Sequence, residues 1–244
     1  MPTTLLYMEG FDVLSCVARV EKIEEHNGKQ VLTLERTCFY PKGGGQDYDT
    51  GTITDKLGNG FRVEQTTYLD GEVKHIGDFI DHEFMTGARV TCEVDEKRRK
   101  LNTQLHSAGH AIDMAVRKLG YDWTPTNAAH YPNMAFVEYS GEFNTEQKNE
   151  YITAIQAGVD ELIANGTHNH IEFMTPEKIK ETGAVVPANL PTNKPTRVMF
   201  YDSFAVPCGG THVKNLNLLP KVNVSKIKNK NGSVRVSYKL PHQV

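Results

Sequence analysis

The sequence predicts an α+β protein, with a small N-terminal barrel-like domain over residues 1–90 and an α+β domain over residues 91–244. Three observations predict this. Residues 5–90 contain short, alternating, β-branched runs separated by turn sequences. Residues 95–119 carry the apolar spacing of a long helix. Beyond that helix, patterns typical of strands and helices are mixed, which favours the α+β class.

The predicted strands of the first domain follow from period-two alternation of apolar and polar residues. Such runs occupy residues 30–36, 52–54 and 61–66. Turn-rich stretches at 57–60 and 69–72 separate them. Short strands joined by tight turns favour a small barrel or meander.

A glycine-rich segment interrupts these strands. Gly43, Gly44 and Gly45 follow an aromatic pair and precede Gln46. Three glycines can serve a loop with unusual backbone angles, or they can let a ligand or a neighbouring domain approach the backbone closely. The second interpretation makes these four residues candidate substrate contacts.

A long helix is predicted over residues 95–119, after a strand at 90–94 that carries the chain across the domain boundary. Asp95 and Glu96 suit the N-terminus of the helix, and Gly120 suits its end. Its apolar stripe consists of Leu101, Leu105, Ala108, Ile112 and Val116.

Two histidines of this helix are candidate metal ligands. His106 and His110 are four residues apart and therefore lie on one helical face. Both imidazoles can reach a single ion, which gives half of a tetrahedral site. A His-x-x-x-His pair alone is weak evidence for a metal, because such pairs also arise through packing.

A second pair of candidate ligands follows about a hundred residues later, in the sequence PCGGTH. Cys208 and His212 are again four residues apart, and the glycines between them let the loop bend tightly. Three imidazoles and a thiolate suit zinc, and the soft thiolate argues against magnesium or calcium. We therefore predict one zinc ion per chain, bound by His106, His110, Cys208 and His212.

The remainder of the second domain is predicted to mix helices and strands. A helix over 145–164 has Asn144 or Thr145 as its cap and ends at Asn165-Gly166. The other predicted elements are strands at 134–139, 170–174 and 197–201, a short helix from Pro176 to near Gly183, and a hairpin of 221–228 with 233–239 across Asn231-Gly232.

Composition limits the class of protein. Of the 244 residues, 39% are hydrophobic and 23% are charged, which is typical of a globular protein. The N-terminus has neither a basic segment nor a long apolar run, so we expect no secretory signal, no membrane span and a cytoplasmic location. The widely spaced Cys16, Cys38, Cys92 and Cys208 favour reduced thiols. The sequence indicates no obligatory protein partner.

Charge is unevenly distributed along the chain. The net charge is −3 overall, −6 over residues 1–90 and +3 over residues 91–244. A run of like charge is either a solvated face or a phosphate-binding patch. The basic residues of the second half form two groups, which are Lys97, Arg98, Arg99 and Lys100 near the start of the long helix, and Lys221, Lys226, Lys228, Lys230 and Arg235 near the C-terminus.

Three motifs, taken in order, resemble the editing domain of alanyl-tRNA synthetase. They are FYPKGGGQ at 39–46, the Arg98-Arg99 pair followed by HSAGH at 106–110, and PCGGTHV at 207–213. Over residues 5–240 the chain is similar to the free-standing AlaX editing proteins, and most closely to their medium-length form.

This resemblance implies a zinc-dependent hydrolase that removes a wrong amino acid, chiefly serine and in second place glycine, from alanine tRNA. A site for alanine cannot exclude glycine sterically, and a small pocket rejects an added hydroxyl only by on the order of 10², so a second sieve is needed. The implied partner is mischarged alanine tRNA, with Lys97, Arg98, Arg99 and Lys100 as candidate contacts.

The resemblance also points to two residues of uncertain role. Thr124 would hydrogen-bond the serine hydroxyl, or it only begins the turn before Pro125. His130 is either a site residue or a structural histidine. No residue is assigned as the general base, and the catalytic group is unknown.

Two other functions remain open on the sequence alone. A site closed by four protein ligands has no position for water, which is typical of structural zinc, so catalysis would need ligand exchange or a fifth coordination position. The second possibility is an RNA-binding module with a purely structural zinc. The third possibility is a metallohydrolase that acts on a small ester unrelated to tRNA.

Overall fold

The structure, a computed structural model, describes residues 2–10, 12–186, 190 and 195–241. Nothing is described of the side chain of Lys230, one of the C-terminal basic residues. The chain divides into two compact units, residues 1–102 and 103–244. No helix in the described part of the chain is long and apolar enough to cross a membrane.

The first unit consists mainly of strands. In chain order they are β1 (Thr4–Leu5), β2 (Ser15–His26), β3 (Lys29–Leu34), β4 (Arg36–Thr37), β5 (Gly51–Asp55), β6 (Gly60–Leu69), β7 (Glu72–Phe79) and β8 (Arg89–Val94). A closed antiparallel barrel is formed in the order β2, β3, β7, β6, β5 and β8. The predicted small barrel is therefore confirmed.

Alternation of side chains fills the interior of this barrel. Along β8, Val90, Cys92 and Val94 are buried while the residues between them are exposed. They pack in a cluster that includes Phe39 and Ile53, both without exposed surface. The period of two seen in the sequence thus marks the inward face.

The first unit extends beyond residue 90, where the sequence placed the domain boundary. β8 pairs with β2 on one side and with β5 on the other, so the barrel closes only after residue 90. Residues 96–102, which begin the long helix, also belong to this unit. Alternation predicts the strand at 90–94 but cannot show that it belongs to the barrel, because its partners β2 and β5 are distant from it in sequence.

The second unit combines helices with antiparallel sheets. Its elements are the helix α1 (Glu96–Lys118), which begins in the first unit, α2 (Lys148–Asn165), α3 (Pro176–Glu181), and the strands β9 (Thr124–Tyr131), β10 (Met134–Ser140), β11 (Asn169–Met174), β12 (Thr196–Tyr201), β13 (Phe204–Pro207), β14 (Asn223–Lys230) and β15 (Ser233–Lys239). One sheet has the order β14, β15, β10 and β9, and another has the order β11, β12 and β13. The α+β expectation agrees with this mixture.

Local signals account for most of these elements. The carboxylate of Asp95 accepts a hydrogen bond from the backbone N–H of Arg98 at 3.1 Å, which caps α1. The turn between β14 and β15 has φ near +51° at Asn231 and +74° at Gly232, as the Asn-Gly pair predicts. Strand β9 was not predicted, because the segment 124–131 contains a proline and two adjacent alanines and shows little alternation.

Candidate metal centre and adjoining cavity

Helix α1 holds two of the predicted ligands. The rings of His106 and His110 stack one turn apart, with centroids 5.0 Å from each other and planes inclined by 23°. Leu105, Ala108 and Ile112 on the same helix have no exposed surface, so packing fixes the helix rotation. Both imidazoles are therefore carried by a rigid element.

The loop after β13 brings the other two predicted ligands to the same place. The Sγ atom of Cys208 lies 3.2 Å from Nε2 of His106. One ligand atom from each of His106, His110, Cys208 and His212 lies within 4.8 Å of all the others. Tetrahedral zinc needs its ligand atoms about 3.3–3.6 Å apart. The separation of Cys208 Sγ from His106 Nε2 is already close to that spacing, so the cluster could hold a metal ion.

Arg197 on β12 holds this loop in place through hydrogen bonds to its backbone. Its Nε donates to the carbonyl of Cys208 at 3.0 Å, and an Nη donates to the carbonyl of Gly210. Only 2% of Arg197 is exposed. The loop conformation thus depends on a buried guanidinium that satisfies two carbonyls at once. Neither the spacing nor the type of this residue marked it in the sequence.

Hydroxyl groups join the loop to the helix. Ser107, between the two helical histidines, accepts from the backbone N–H of Val213 at 3.0 Å and donates to the carbonyl of Thr103 at 2.9 Å. The hydroxyls of Thr103 and Thr211 are 2.6 Å apart. These contacts set the distance between the histidines and the thiol.

Burial controls the protonation of the cluster. It lowers the pKa of His110 to about 3 and holds the pKa values of His106 and His212 well below their ordinary value. Burial also raises the pKa of the Cys208 thiol, an effect that the charge of Arg197 opposes. All three imidazoles are therefore neutral, which is the form that binds a metal.

The donor atoms fit a metal in a second respect. Nε2 of His110 is buried and has no hydrogen-bond partner among the described residues. A buried ring nitrogen without a partner is costly in the absence of a ligand. A metal ion at the cluster would use that nitrogen.

His130 lies against the cluster without belonging to it. Its ring stacks on His106 with centroids 4.6 Å apart, and its Nδ1 is 2.5 Å from the hydroxyl of Tyr238. The hydroxyl of Tyr238 donates its proton to the carbonyl of Leu105 at 2.8 Å. The Nδ1–H of His130 is therefore the donor in the hydrogen bond to the Tyr238 oxygen. A Cβ at Gly109 would lie 2.3 Å from Cε1 of His130, so this position requires glycine. His130 thereby orients the face of His106.

A cavity of about 320 Å³ adjoins the cluster. His110 and His130 line it, together with Asp113 and Arg117 from α1, and β9 adds Thr126 and Asn127. Burial raises the pKa of Asp113, while the charge of Arg117 and a hydrogen bond with Tyr139 oppose this shift. Oδ2 of Asp113 lies 3.4 Å from the guanidinium of Arg117. The cavity is therefore lined by a carboxyl group beside a candidate metal ligand.

Thr124 lies at the exposed first position of β9, opposite Ser140. It is not among the residues that line this cavity, whereas Thr126 two residues later is. The hydroxyl of Thr126 donates to the carbonyl of Glu138 at 3.2 Å, which leaves its oxygen able to accept.

The glycine-rich segment lies in the first unit and forms a tight turn. Gly43 and Gln46 exchange backbone hydrogen bonds of 3.2 and 2.9 Å. Between them φ is +53° at Gly44 and +76° at Gly45, values that favour glycine. Backbone angles thus account for two of the three glycines.

The basic run of residues 97–100 is divided between two environments. Arg99 is 3% exposed and donates to the fully buried Asp49 and, at 2.6 Å, to the carbonyl of Cys38. Arg98 donates to Asp47 at 2.6 Å. Lys97 and Lys100 are exposed. Both arginines are therefore engaged within the first unit, and the lysines are the members available to a partner.

Known proteins similar to this chain are alanyl-tRNA editing proteins and alanine–tRNA ligases. Residues 10–98 match the family described as tRNA synthetases class II (A). The AlaX-M editing protein of Saccharolobus solfataricus is 30% identical over 246 residues, which cover 97% of this chain and 98% of that protein. AlaX-L of Pyrococcus horikoshii is 30% identical over 203 residues, which cover 81% of this chain and 48% of that protein.

The alanine–tRNA ligase of Sulfurisphaera tokodaii is 29% identical over 253 residues, which cover 97% of this chain. The chain spans only 26% of that ligase and 48% of AlaX-L, so it corresponds to part of each.

Proposed function

The chain belongs to the family of alanyl-tRNA editing proteins, and we propose that it hydrolyses the ester of alanine tRNA that carries serine or glycine. The observation that carries this proposal is that His110 belongs to the candidate metal cluster and also lines the cavity. A site closed by four protein ligands is typical of structural zinc, so catalysis here would need one ligand to leave or the ion to accept a fifth. Contact of His110 with the cavity would bring a substrate within reach of the ion, and this supports a catalytic role.

We propose zinc as the metal, because the cluster offers three imidazoles and a thiolate. When bound, zinc would supply Lewis-acid chemistry, by polarising the ester carbonyl or by lowering the pKa of a water. The residues of the chain keep the imidazoles neutral, fix the loop through Arg197 and orient His106 through His130.

The aminoacyl end of the tRNA would enter the cavity beside His110. Its α-ammonium group would donate to the carboxylate of Asp113, which lines the cavity. A charge-assisted hydrogen bond of this kind is about twice as strong as a neutral one. In the reaction water adds to the acyl carbon, the bond to the ribose oxygen breaks, and that oxygen gains a proton. No residue is assigned as the general base.

Contacts outside the cavity are proposed for the first unit. The backbone turn of Gly43, Gly44, Gly45 and Gln46 would contact the substrate, and Lys97 and Lys100 would contact phosphates. Exposure of the two lysines supports their assignment. Burial of Arg99 against Asp49 supports a structural role for that member of the run.

Deacylation of serine-charged alanine tRNA, measured with zinc and with a chelator, tests the proposal. We expect cleavage with zinc, little cleavage after chelation, and recovery when zinc is added back. Alanine-charged tRNA is the control for selectivity. Binding of tRNA without cleavage would identify an RNA-binding module with a structural zinc. Cleavage of small esters with no effect on charged tRNA would identify a different metallohydrolase.

A further inference from the structure

The outer face of the sheet formed by β14, β15, β10 and β9 carries an open groove of about 520 Å³. Three cationic residues line it, Lys226 from β14 and Arg235 and Lys239 from β15. Ser225 and Ser237 lie between them, and these small side chains keep the groove open. The groove lies wholly within the second unit.

The positions of the charges follow from strand register. Lys228 pairs directly with Arg235 across β14 and β15, and Lys226 pairs with Ser237. Lys226 and Lys228 are two residues apart and both exposed, so they lie about 6.5 Å apart along one strand. Like charges placed directly opposite each other destabilise a sheet. This sheet therefore tolerates a repulsive arrangement on its open face.

Only part of that charge is neutralised within the unit. Arg235 donates twice to Oε2 of Glu138, at 2.8 and 2.6 Å, and its guanidinium lies 3.9 Å from the ring centroid of Phe136. Among the described residues, no carboxylate forms an ion pair with Lys226, Lys228 or Lys239.

Lys226 and Lys228 repel each other because they are exposed neighbours on one strand, and a hydrogen bond with Lys228, together with its charge, lowers the pKa of Lys226. An anionic partner would relieve this repulsion, and a row of lysines on a flat sheet suits a row of phosphates.

We propose that this face of the sheet is the surface on which the phosphate backbone of the tRNA docks, through Lys226, Lys228 and Lys239. The proposal rests on the proposed function for the identity of the RNA. The lysines supply position and affinity without reading sequence, because phosphate contacts carry no sequence information. Arg235 is not assigned a phosphate contact, because its guanidinium pairs with Glu138 and packs on the ring of Phe136.

Salt dependence of binding tests the proposal. The probe is uncharged alanine tRNA, bound at a series of potassium chloride concentrations. For K226A/K228A/K239A, we expect the slope of log K against log salt to become shallower by roughly 2 to 3, since each lost phosphate contact removes about 0.9. The variant K226R/K228R/K239R keeps the charge and should keep the slope.

The matched control removes three lysines that lie outside the groove, in K56A/K178A/K180A. It has the same change in net charge, and its slope should equal that of the wild type. A slope that is unchanged in K226A/K228A/K239A, or equally reduced in the control, overturns the proposal. Binding of anionic lipid vesicles by the wild type, with no salt-dependent binding of tRNA, also overturns it.

Catalysis distinguishes this proposal from the proposed function. Bound zinc and far-ultraviolet circular dichroism show whether each variant is folded. We expect KM for serine-charged tRNA to rise at least tenfold in K226A/K228A/K239A while kcat stays within a factor of about two. A wild type that binds tRNA with the expected slopes but cleaves nothing would overturn the hydrolase and leave the docking surface. Conversely, a wild type that cleaves serine-charged tRNA, with salt slope and KM unaltered in K226A/K228A/K239A, would support the hydrolase and overturn the docking surface.

Discussion

The two units differ in how fully their strand lysines and their buried polar groups are paired. In the first unit, three lysines of the barrel have acidic neighbours: Lys22 with Glu72 at 2.7 Å, Lys29 with Asp78 at 2.5 Å and Lys74 with Glu72 at 2.7 Å. The buried Arg99 is matched by the buried Asp49. These charges are satisfied by the protein itself.

In the second unit, several groups lack such a match among the described residues. Nε2 of His110 is buried without a hydrogen-bond partner, and Lys226, Lys228 and Lys239 have no acidic partner. Leaving a buried polar group without a partner costs about 1–3 kcal/mol. The difference indicates that internal pairing serves stability in the first unit, while the second keeps groups ready for ligands.

The largest expected effect comes from the cluster of the second unit. Cys208→Ala removes one of four ligands from a site whose metal binding is worth on the order of 10 kcal/mol or more. We expect zinc to fall well below one per chain and deacylation to fall more than about a hundredfold. Metal analysis and single-turnover deacylation measure these. Cys16→Ala, in the first unit, should change neither. Full zinc content in Cys208→Ala would exclude the thiol from the site.

The next effect belongs to the first unit and is one of stability. Arg99→Met leaves the carboxylate of Asp49 buried and unpaired, and breaking a buried pair in this way costs about 3–5 kcal/mol. Urea unfolding followed by circular dichroism should show this loss. Asp49→Asn in addition should restore part of it. Arg36→Met, at an exposed arginine of the same unit, is the control. Equal stability of Arg99→Met and Arg36→Met would contradict the conclusion that the buried ion pair of Arg99 and Asp49 stabilises the first unit.

Several features of both units could be predicted from the sequence because they are local. The positions of His106 and His110 follow from the helical period, and the Asn231-Gly232 turn follows from its residue types. The run of four basic residues at 97–100 is less informative about contacts. Successive residues of a helix point about 100° apart, so four consecutive residues cannot all face solvent when one side of the helix is buried.

Other features depend on contacts between distant segments. Asp49 is 50 residues from Arg99, and Arg197 contacts the carbonyl of Gly210 across two strands. Nothing in the local sequence distinguishes these residues from exposed ones. The cavity beside His110 could not be predicted from the sequence either. Residues of β9 line it, and this strand shows no clear alternation of apolar and polar residues.

A smaller effect is expected at Asp113, which we propose as the partner of the α-ammonium group. Asp113→Asn keeps the shape and removes the charge, so a charge-assisted bond of about 1.5–3 kcal/mol is weakened. We expect a fall of roughly tenfold or more in kcat/KM. Wild-type protein should cleave N-acetylseryl-tRNA, which lacks the ammonium group, more slowly than seryl-tRNA. Asp113→Asn should lose that discrimination, and the exposed Asp122→Asn should retain it. Equal discrimination in all three would reject Asp113 as the contact.

Two threonines of β9, Thr124 and Thr126, are candidates for the contact with the serine hydroxyl. The resemblance to AlaX proteins favours Thr124, whereas the lining of the cavity favours Thr126. We expect Thr126→Val to slow cleavage of serine-charged tRNA by roughly tenfold, which corresponds to one hydrogen bond of about 1–1.5 kcal/mol. Thr124→Val should change it by less than about twofold. A larger loss in Thr124→Val would show that β9 moves to bring that hydroxyl into the cavity.

The smallest expected effect is on the exposed lysines of the first unit, and it tests how far the contrast between the units extends. Lys97→Ala with Lys100→Ala leaves Arg98 and Arg99 in their internal pairs, so the barrel should keep its stability. If both lysines contact phosphates, the salt slope for alanine tRNA becomes shallower by roughly 1 to 2. We expect a change toward the lower value, with KM raised only severalfold, because residues 1–90 of the same unit carry a net charge of −6, which disfavours a phosphate backbone. The control K56A/K178A removes two lysines elsewhere and should leave the slope unchanged. An effect larger than that of K226A/K228A/K239A would move the main phosphate contact to the first unit and reverse the division of roles between the two.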